Sequence, residues 1–292
     1  MNDSFFQPLP SINFHLWQPC NMRCKFCFAR DFGGVLGVLP KGHLSQLDAE
    51  KVVRLICEQP FSKITFAGGE PTLCPWLPQL VTIAKQAGLT TMVVTNGTRI
   101  TQKYLASFEG KLDWIALSVD SVSPKVNFES GRKVPGKSGV LSYQDYCSIV
   151  DLVSDAGIRL KVNTTVHRLN LKDSMTSFIN YARPERWKIF QVMGVESENQ
   201  EAINSLGISP DEFSCYINRH AELEKVTRIV PETNEVMRGS YAMVDPAGRF
   251  YDTSSGSHFS SSPILDVGVI TAYQEVHIDE SRFIERGGLW GW

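Results

Sequence analysis

SINFHLWQPCNMRCKFCF, residues 11–28, decides the fold. Its first part, Ser11–Trp17, reads as a short strand. The loop that follows carries Cys20, Cys24 and Cys27 at x3 and x2 spacing, so three thiolates can converge on one centre. Soft thiolates suit zinc and iron–sulfur clusters alike. Zinc normally takes a fourth protein ligand, and this motif offers three. His15 lies before it on the strand, and no CxxC occurs later. Three ligands on a four-iron cluster leave one iron open. An open iron can bind a chelating cofactor, which is the logic of [4Fe–4S] chemistry with S-adenosylmethionine (SAM). Aromatic Phe26 precedes the last cysteine, at the cofactor end of the site. Cys57, Cys74, Cys147 and Cys215 form no pair and read as small buried hydrophobes.

Outward from that loop, short β-branched or aromatic runs alternate with longer amphipathic ones. Strands are expected at 63–67, 91–95, 114–119, 160–166 and 187–192. Helices are expected near 46–58, 77–87, 101–108, 143–156 and 174–181. Leu47, Val52, Leu55 and Ile56 fall at helical spacing, as an apolar face requires. Strands alternating with helices imply parallel βα units joined by right-handed crossovers. The expectation is an α/β fold, a partial (βα)6 TIM-like barrel over residues 1–195. Residues 196–292 then form a C-terminal extension packed on the barrel and closing the substrate site. It reads as a helix at 211–224, short strands at 228–231 and 241–245, and a Ser-rich loop at 254–262. The cysteine loop sits at the C-terminal mouth of the barrel, where α/β active sites gather.

The bulk numbers suit this architecture. The chain has 292 residues, 42% hydrophobic and 21% charged, with 29 basic against 31 acidic side chains. A net charge of −2 gives no global field toward nucleic acid or a membrane surface. There is no apolar run long enough to span a bilayer, and residues 1–14 lack the pattern of a signal peptide. The expected location is the cytoplasm, whose reducing conditions favour thiols and metal ligands over disulfides.

Ala67-Gly68-Gly69-Glu70-Pro71 follows the second strand. Paired glycines there let the backbone approach a ligand closely, and its polar groups can meet the SAM amino group. On adjacent parallel strands, this turn and the cysteine loop face each other. Ser118 and Asn163, in strands four and five, can hydrogen-bond the SAM carboxylate or ribose. Cations gather in the second half of the barrel. Lys161 lies in strand five, and Arg186 and Lys188, two apart in strand six, point to one face. Lysine inside a barrel strand is costly unless paired or ligand-bound. Arg132, Lys133 and Lys137 occupy the glycine-rich loop ESGRKVPGKSG. Basic side chains at one mouth make a polyphosphate site.

CNMRCKFCF, FAGGEPTL, TNGT, WIALSVDS, KVNTTVHRLN, RWKIFQVMGVESENQ, VPETNEVMRGSY, SPILDVGV and the terminal RGGLWGW together resemble the viperin family. The resemblance runs from about residue 11 to residue 292. RWKIFQ, ILDVG and RGG are not generic to radical SAM enzymes. What the resemblance implies is a prokaryotic viperin, an antiviral radical SAM enzyme. Such enzymes convert a ribonucleoside triphosphate into its 3′-deoxy-3′,4′-didehydro analogue, a chain terminator. One electron from the cluster cleaves SAM, and hydrogen is then taken from C4′ of the ribose. The 3′-hydroxyl leaves as water, and a further electron with a proton or hydrogen atom completes the product. By the same resemblance Lys161, Arg186 and Lys188 hold the triphosphate with help from Arg132. Gly68, Gly69, Glu70, Ser118 and Asn163 hold SAM or the ribose, and Tyr241 acts near the final reduction or protonation.

The implied partners are the nucleotide and a reductase or flavodoxin/ferredoxin-type electron donor, with no direct nucleic acid and no membrane. The amphipathic membrane helix of animal viperins is not seen before residue 11. Residues 254–262 and the loop after strand four depart from the animal pattern, so CTP, UTP and GTP all stay open. Trp292 resembles the aromatic terminus of the animal members and is a candidate anchor over the site mouth. Two other readings compete. One is a different radical SAM activity, in cofactor biosynthesis or peptide modification; the lone Cys147 and Cys215 argue against the second cluster many of those carry. The other is a non-catalytic binding or scaffold protein that keeps a cluster or zinc for stability.

Overall fold

The computed structural model describes residues 6–135, 139–196 and 198–292, so Lys137 lies outside the described residues. Its strands are β1 Ser11–Trp17, β2 Lys63–Gly68, β3 Thr90–Thr95, β4 Trp114–Ser118, β5 Arg159–Val166, β6 Arg186–Gln191, β7 Arg228–Glu232, β8 Ala242–Val244, β9 Arg249–Asp252 and β10 Phe259–Pro263. They form one sheet in the order β10-β9-β8-β1-β2-β3-β4-β5-β6-β7. From β8 through β7 every pairing is parallel. β9 and β10 are antiparallel additions. The partial TIM-like barrel of β1–β6 is therefore extended at both edges by later chain, with β8 beside β1 and β7 beside β6.

Local chemistry sets the crossover helices. Ser45 caps Gln46–Cys57 by accepting from the Asp48 N–H. Ser142 and Asp145 form a reciprocal capping box at the start of Tyr143–Asp155. The outer faces of the strands and the inner faces of the helices make the core: Ile12, Phe14 and Leu16 of β1 pack in one cluster with Val52, Val53 and Ile56. The opposite face of the same strands is polar. Asn13, His15, Lys63, Thr65, Lys161, Asn163 and Lys188 are all directed into the barrel cavity.

Several spans differ from expectation. The helix expected at 211–224 is α-helical only over Pro210–Arg219 and continues as a 3₁₀ turn at Ala221–Lys225. The Ser-rich loop is partly strand, because β10 pairs with β9 through backbone groups that serine supplies as well as any residue. The helices Ile264–Gln274 and Glu280–Glu285 were not anticipated. Among the described residues no helix is long and apolar enough to cross a membrane.

Candidate active site

A cavity of about 580 Å³ runs through the barrel, from the cysteine loop at the C-terminal ends of the strands to a cationic floor near their N-terminal ends. Cys20, Cys24 and Cys27 all line it. Burial pushes the Cys24 thiol up to about 12 and that of Cys27 up to about 11, and the three sulfurs sense one another electrostatically. Ligation must therefore displace protons. Among the described residues no three His, Cys, Asp or Glu side chains stand close enough to hold a single ion. Three thiols lining one cavity, with no fourth such ligand beside them among the described residues, suit a multi-iron cluster better than one zinc. The donor set thus fits a [4Fe–4S] cluster with one iron free.

Two braces hold the loop. Glu198 accepts from the N–H groups of Arg30, Asp31 and Gly33 at 2.7, 2.9 and 2.9 Å. Asn199 donates to the Phe26 carbonyl at 2.8 Å. The Phe26 ring lies 4.7 Å from that of His167.

Gly68 and Gly69 have a steric reason that the sequence did not reveal. A Cβ on Gly68 would sit 2.4 Å from the Trp17 carbonyl, and one on Gly69 2.1 Å from that of Gln18. The Gly69 and Glu70 N–H groups donate to Trp17 and Pro19. A ligand at this turn must therefore use its carbonyls, which is what an ammonium donor such as the SAM amino group needs. The buried Glu70 carboxylate accepts from Thr72 N–H and hydroxyl, the Thr95 hydroxyl and Asn96 N–H. These bonds tie β2 to β3 and support the turn; Oε1 takes three of them and Oε2 one, and the residue lines the cavity.

Ser118, Asn163 and Lys188 are register neighbours across β4, β5 and β6. Asn163 is buried, and its Oδ1 lacks a hydrogen-bond partner. Such an orphan in a cavity wall asks for a ligand donor.

Arg132 belongs to the cysteine end, not the phosphate end. It pairs with Asp120 at 2.7 Å and donates to the Ser118 carbonyl. The glycine-rich loop folds back on the cysteine loop: Arg23 N–H donates to Gly131 O and Lys25 N–H to Ser130 O. Gly131, at φ 83°, has no room for a side chain, because its Cβ would meet the Arg23 carbonyl at 2.2 Å. Arg186 is a second correction. Its guanidinium donates to the Gly287 carbonyl at 2.6 Å and lies 4.6 Å over the Trp290 ring. The C-terminal tail covers it, and it does not line the cavity. Trp292 is a third: Trp290 and Trp292 flank Lys63 at 4.9 and 4.7 Å, and Trp290 meets Trp114 edge-on. The aromatic terminus closes the bottom of the barrel, not its mouth.

The floor comprises Lys63, Lys161, Lys188 and Arg286 around one carboxylate, Glu232. Lys63 and Arg286 escaped the sequence reading. The one signal for Lys63 was a lysine opening an otherwise apolar strand. Glu232 pairs with Lys188 and, at 3.4 Å, with Arg286. Tyr241, just before β8, donates to Glu232, receives Lys188 Nζ at 3.0 Å and carries the Arg286 guanidinium 3.6 Å over its ring. Burial drives its phenol well above the ordinary value, so it is neutral at working pH. Burial would raise Glu232, but Lys188 and Arg286 hold it below the ordinary carboxylate range. Burial lowers Lys188 to about 7 even with Glu232 beside it. Lys63 and Lys161 are pushed well below ordinary lysine by burial and by each other's neighbours.

These depressed values have a sign. The unfolded chain holds more protons than the folded one between about pH 7 and the ordinary lysine range. The lysines' contribution to stability therefore rises with pH across that window. A bound polyanion reverses the balance by recharging the lysines. Binding of inorganic triphosphate at pH 8 is expected to take up protons, measured by calorimetry in buffers of different ionisation enthalpy. Proton release would show that the floor is already fully charged.

The profile of the Radical SAM superfamily matches residues 17–179, more than half the chain. Among curated relatives, the S-adenosylmethionine-dependent nucleotide dehydratase of Lacinutrix mariniflava is 46% identical, over 97% of this chain and 59% of that protein. The protein of the same name from Flammeovirga pacifica is 44% identical over 97% of this chain and 96% of its own length. One from Thermoplasmatales archaeon (strain ISO4-H5) is 32% identical over 97% and 96%. This chain thus spans about three fifths of the Lacinutrix protein and nearly all of the other two. Among solved structures, Streptococcus suis SuiB bound to S-adenosylmethionine aligns with TM-score 0.62 at 12% identity, over 82% of this chain and 59% of that one. anSMEcpe with bound AdoMet and a peptide aligns at 0.60 and 14%, over 82% and 73%. These two share the fold. With the three-thiol loop at the barrel mouth and relatives matched along nearly the whole chain, the protein belongs to the radical SAM superfamily and, within it, to the viperin family of S-adenosylmethionine-dependent nucleotide dehydratases.

Proposed function

We propose that the protein removes water from a ribonucleoside triphosphate in a SAM-dependent radical reaction, yielding the 3′-deoxy-3′,4′-didehydro nucleotide. The observation that carries this reading is a single cavity with three free thiols at one end and four buried cations around one carboxylate at the other. Burial disfavours the charged form of these lysines, and a bound polyanion offsets that cost and recharges them. A triphosphate supplies that charge, and its length separates the ribose from the floor, toward the thiols.

Cys20, Cys24 and Cys27 would ligate three irons of a [4Fe–4S] cluster, leaving the fourth for SAM. Bound together, these groups supply the one-electron chemistry that breaks an unactivated C–H bond. The carbonyls at Gly68 and Gly69, with Ser118 and Asn163, orient SAM beside Phe26. Arg132 holds the Ser118 end through its pair with Asp120. Lys63, Lys161, Lys188 and Arg286 grip the phosphates. Arg186 anchors the tail that shuts water out from below. Tyr241 donates its proton to Glu232 and lines the cavity above the floor. A neutral phenol there can donate to the 3′-oxygen as it leaves or to the closing reduction. An acidic one-electron carrier would supply the reducing equivalents.

The test is anaerobic incubation with SAM, dithionite and each of the four ribonucleoside triphosphates. One base should stimulate 5′-deoxyadenosine formation and give a nucleotide lighter by one water. No stimulation by any of the four would overturn the reading. In the same assay Lys188→Ala should weaken nucleotide binding roughly 10–100-fold, the scale of a lost charge-assisted contact, with iron content unchanged.

A further inference from the structure

The outer face of the cysteine loop carries a second feature, which the reaction inside the barrel does not use. Between Cys20 and Arg30 there are three cations, Arg23, Lys25 and Arg30, and no carboxylate, in a chain whose net charge is −2. Met22 and Phe26 are buried, while Arg23, Lys25 and Arg30 are exposed; Arg23 and Arg30 stand at the rim of the cavity, and Lys25, which does not line it, lies on the outer side of the loop. Because residues 23 and 25 bond to residues 131 and 130, the short helix Pro124–Glu129 lies alongside. That helix adds exposed Lys125 and Phe128, which is 55% exposed, and one carboxylate, Glu129. Lys133 lies with its Nζ 3.7 Å over the Phe128 ring. The glycine-rich loop thus sends Lys133 outward, away from any phosphate in the cavity.

We propose that this face, centred on Lys25, Phe128 and Lys133, docks a small acidic electron-carrier protein of low potential. The inference rests on the cluster assigned to Cys20, Cys24 and Cys27 above. Charge complementarity names the partner. A basic rim around one exposed aromatic steers an acidic protein and seats it, and Lys25 is the immediate neighbour of Cys24. One electron passes from the reduced flavin or iron–sulfur carrier to the cluster. The carrier is oxidised by one electron, and no bond or proton moves. A solvated set of surface charges would need neither the exposed ring nor the concentration of cations on the one loop that holds the thiols.

The experiment uses the reconstituted full chain and a purified acidic flavodoxin. Binding of oxidised flavodoxin is titrated at low and high salt, and bleaching of the cluster by reduced flavodoxin is followed in stopped flow. The Lys25→Glu/Lys133→Glu variant should bind at least about tenfold more weakly, lose most of its salt dependence, and bleach correspondingly slowly. The Gln double variant should fall between. Bleaching by dithionite, which is small and needs no docking surface, should match the wild type. Wild-type binding and bleaching by the Glu variant would overturn the proposal. Salt-sensitive binding of anionic lipid vesicles without any binding of flavodoxin would also overturn it, by assigning the face to a membrane. If dithionite fails to bleach the wild type, the cluster assignment falls, and the docking face falls with it.

Discussion

Cys24→Ala is expected to give a folded protein that holds no cluster and forms 5′-deoxyadenosine only at background level. The remaining two thiols cannot bind a cubane at three corners. The other cysteines cannot substitute, since Cys57, Cys74, Cys147 and Cys215 do not line the cavity. The fold should survive, because the loop is held by Glu198, Asn199 and the glycine-rich loop through backbone groups that the substitution leaves alone. Deleting one small side chain costs on the order of 1 kcal/mol. Iron analysis, SAM-cleavage assays and thermal melts check the three parts. SAM cleavage by an iron-loaded Cys24→Ala protein would remove Cys24 from the ligand set.

Glu232→Gln should be the most damaging change away from the thiols. Glu232 is fully buried and is the common partner of Lys188, Arg286 and Tyr241. An amide keeps the shape but leaves the floor with cations and no anion. Breaking a buried pair by removing one partner costs about 3–5 kcal/mol. The penalty depends on pH. With its value near 7 in the folded protein, Lys188 can discard its proton above neutrality, so the loss should be larger at pH 6 than at pH 9. Inorganic triphosphate should restore more melting temperature to the variant than it adds to the wild type, because it supplies the missing negative charge. A variant that melts with the wild type at pH 6 would mean that the floor is not electrostatically frustrated.

The barrel strands were legible because each is a short run of apolar and β-branched residues. Ser11–Trp17 matches β1 at both ends, and the expected bounds of β2 to β6 lie within one residue of those observed. The C-terminal third was less legible. β10 is FSSSP, a strand held by pairing with β9 and not by side-chain propensity. Ile264–Gln274 is apolar nearly all round and is interrupted at Gly268, so it lacks the periodicity that marks an amphipathic helix.

By itself the sequence determined the chemistry that depends on close spacing. Three cysteines within eight residues, on a loop after a strand, define an incomplete ligand set wherever the loop lies. Two glycines after the next strand define a close backbone approach. The tertiary structure alone decided which distant charges meet. Arg186 and Lys188 are two residues apart on one face of β6, yet Lys188 faces the cavity and Arg186 is sealed beneath a tail about a hundred residues away. Lys63, Glu232 and Arg286 converge from three separate regions of the chain. The electrostatic cost of burying a charge depends on its neighbours in space, and a linear sequence does not specify those until the barrel closes.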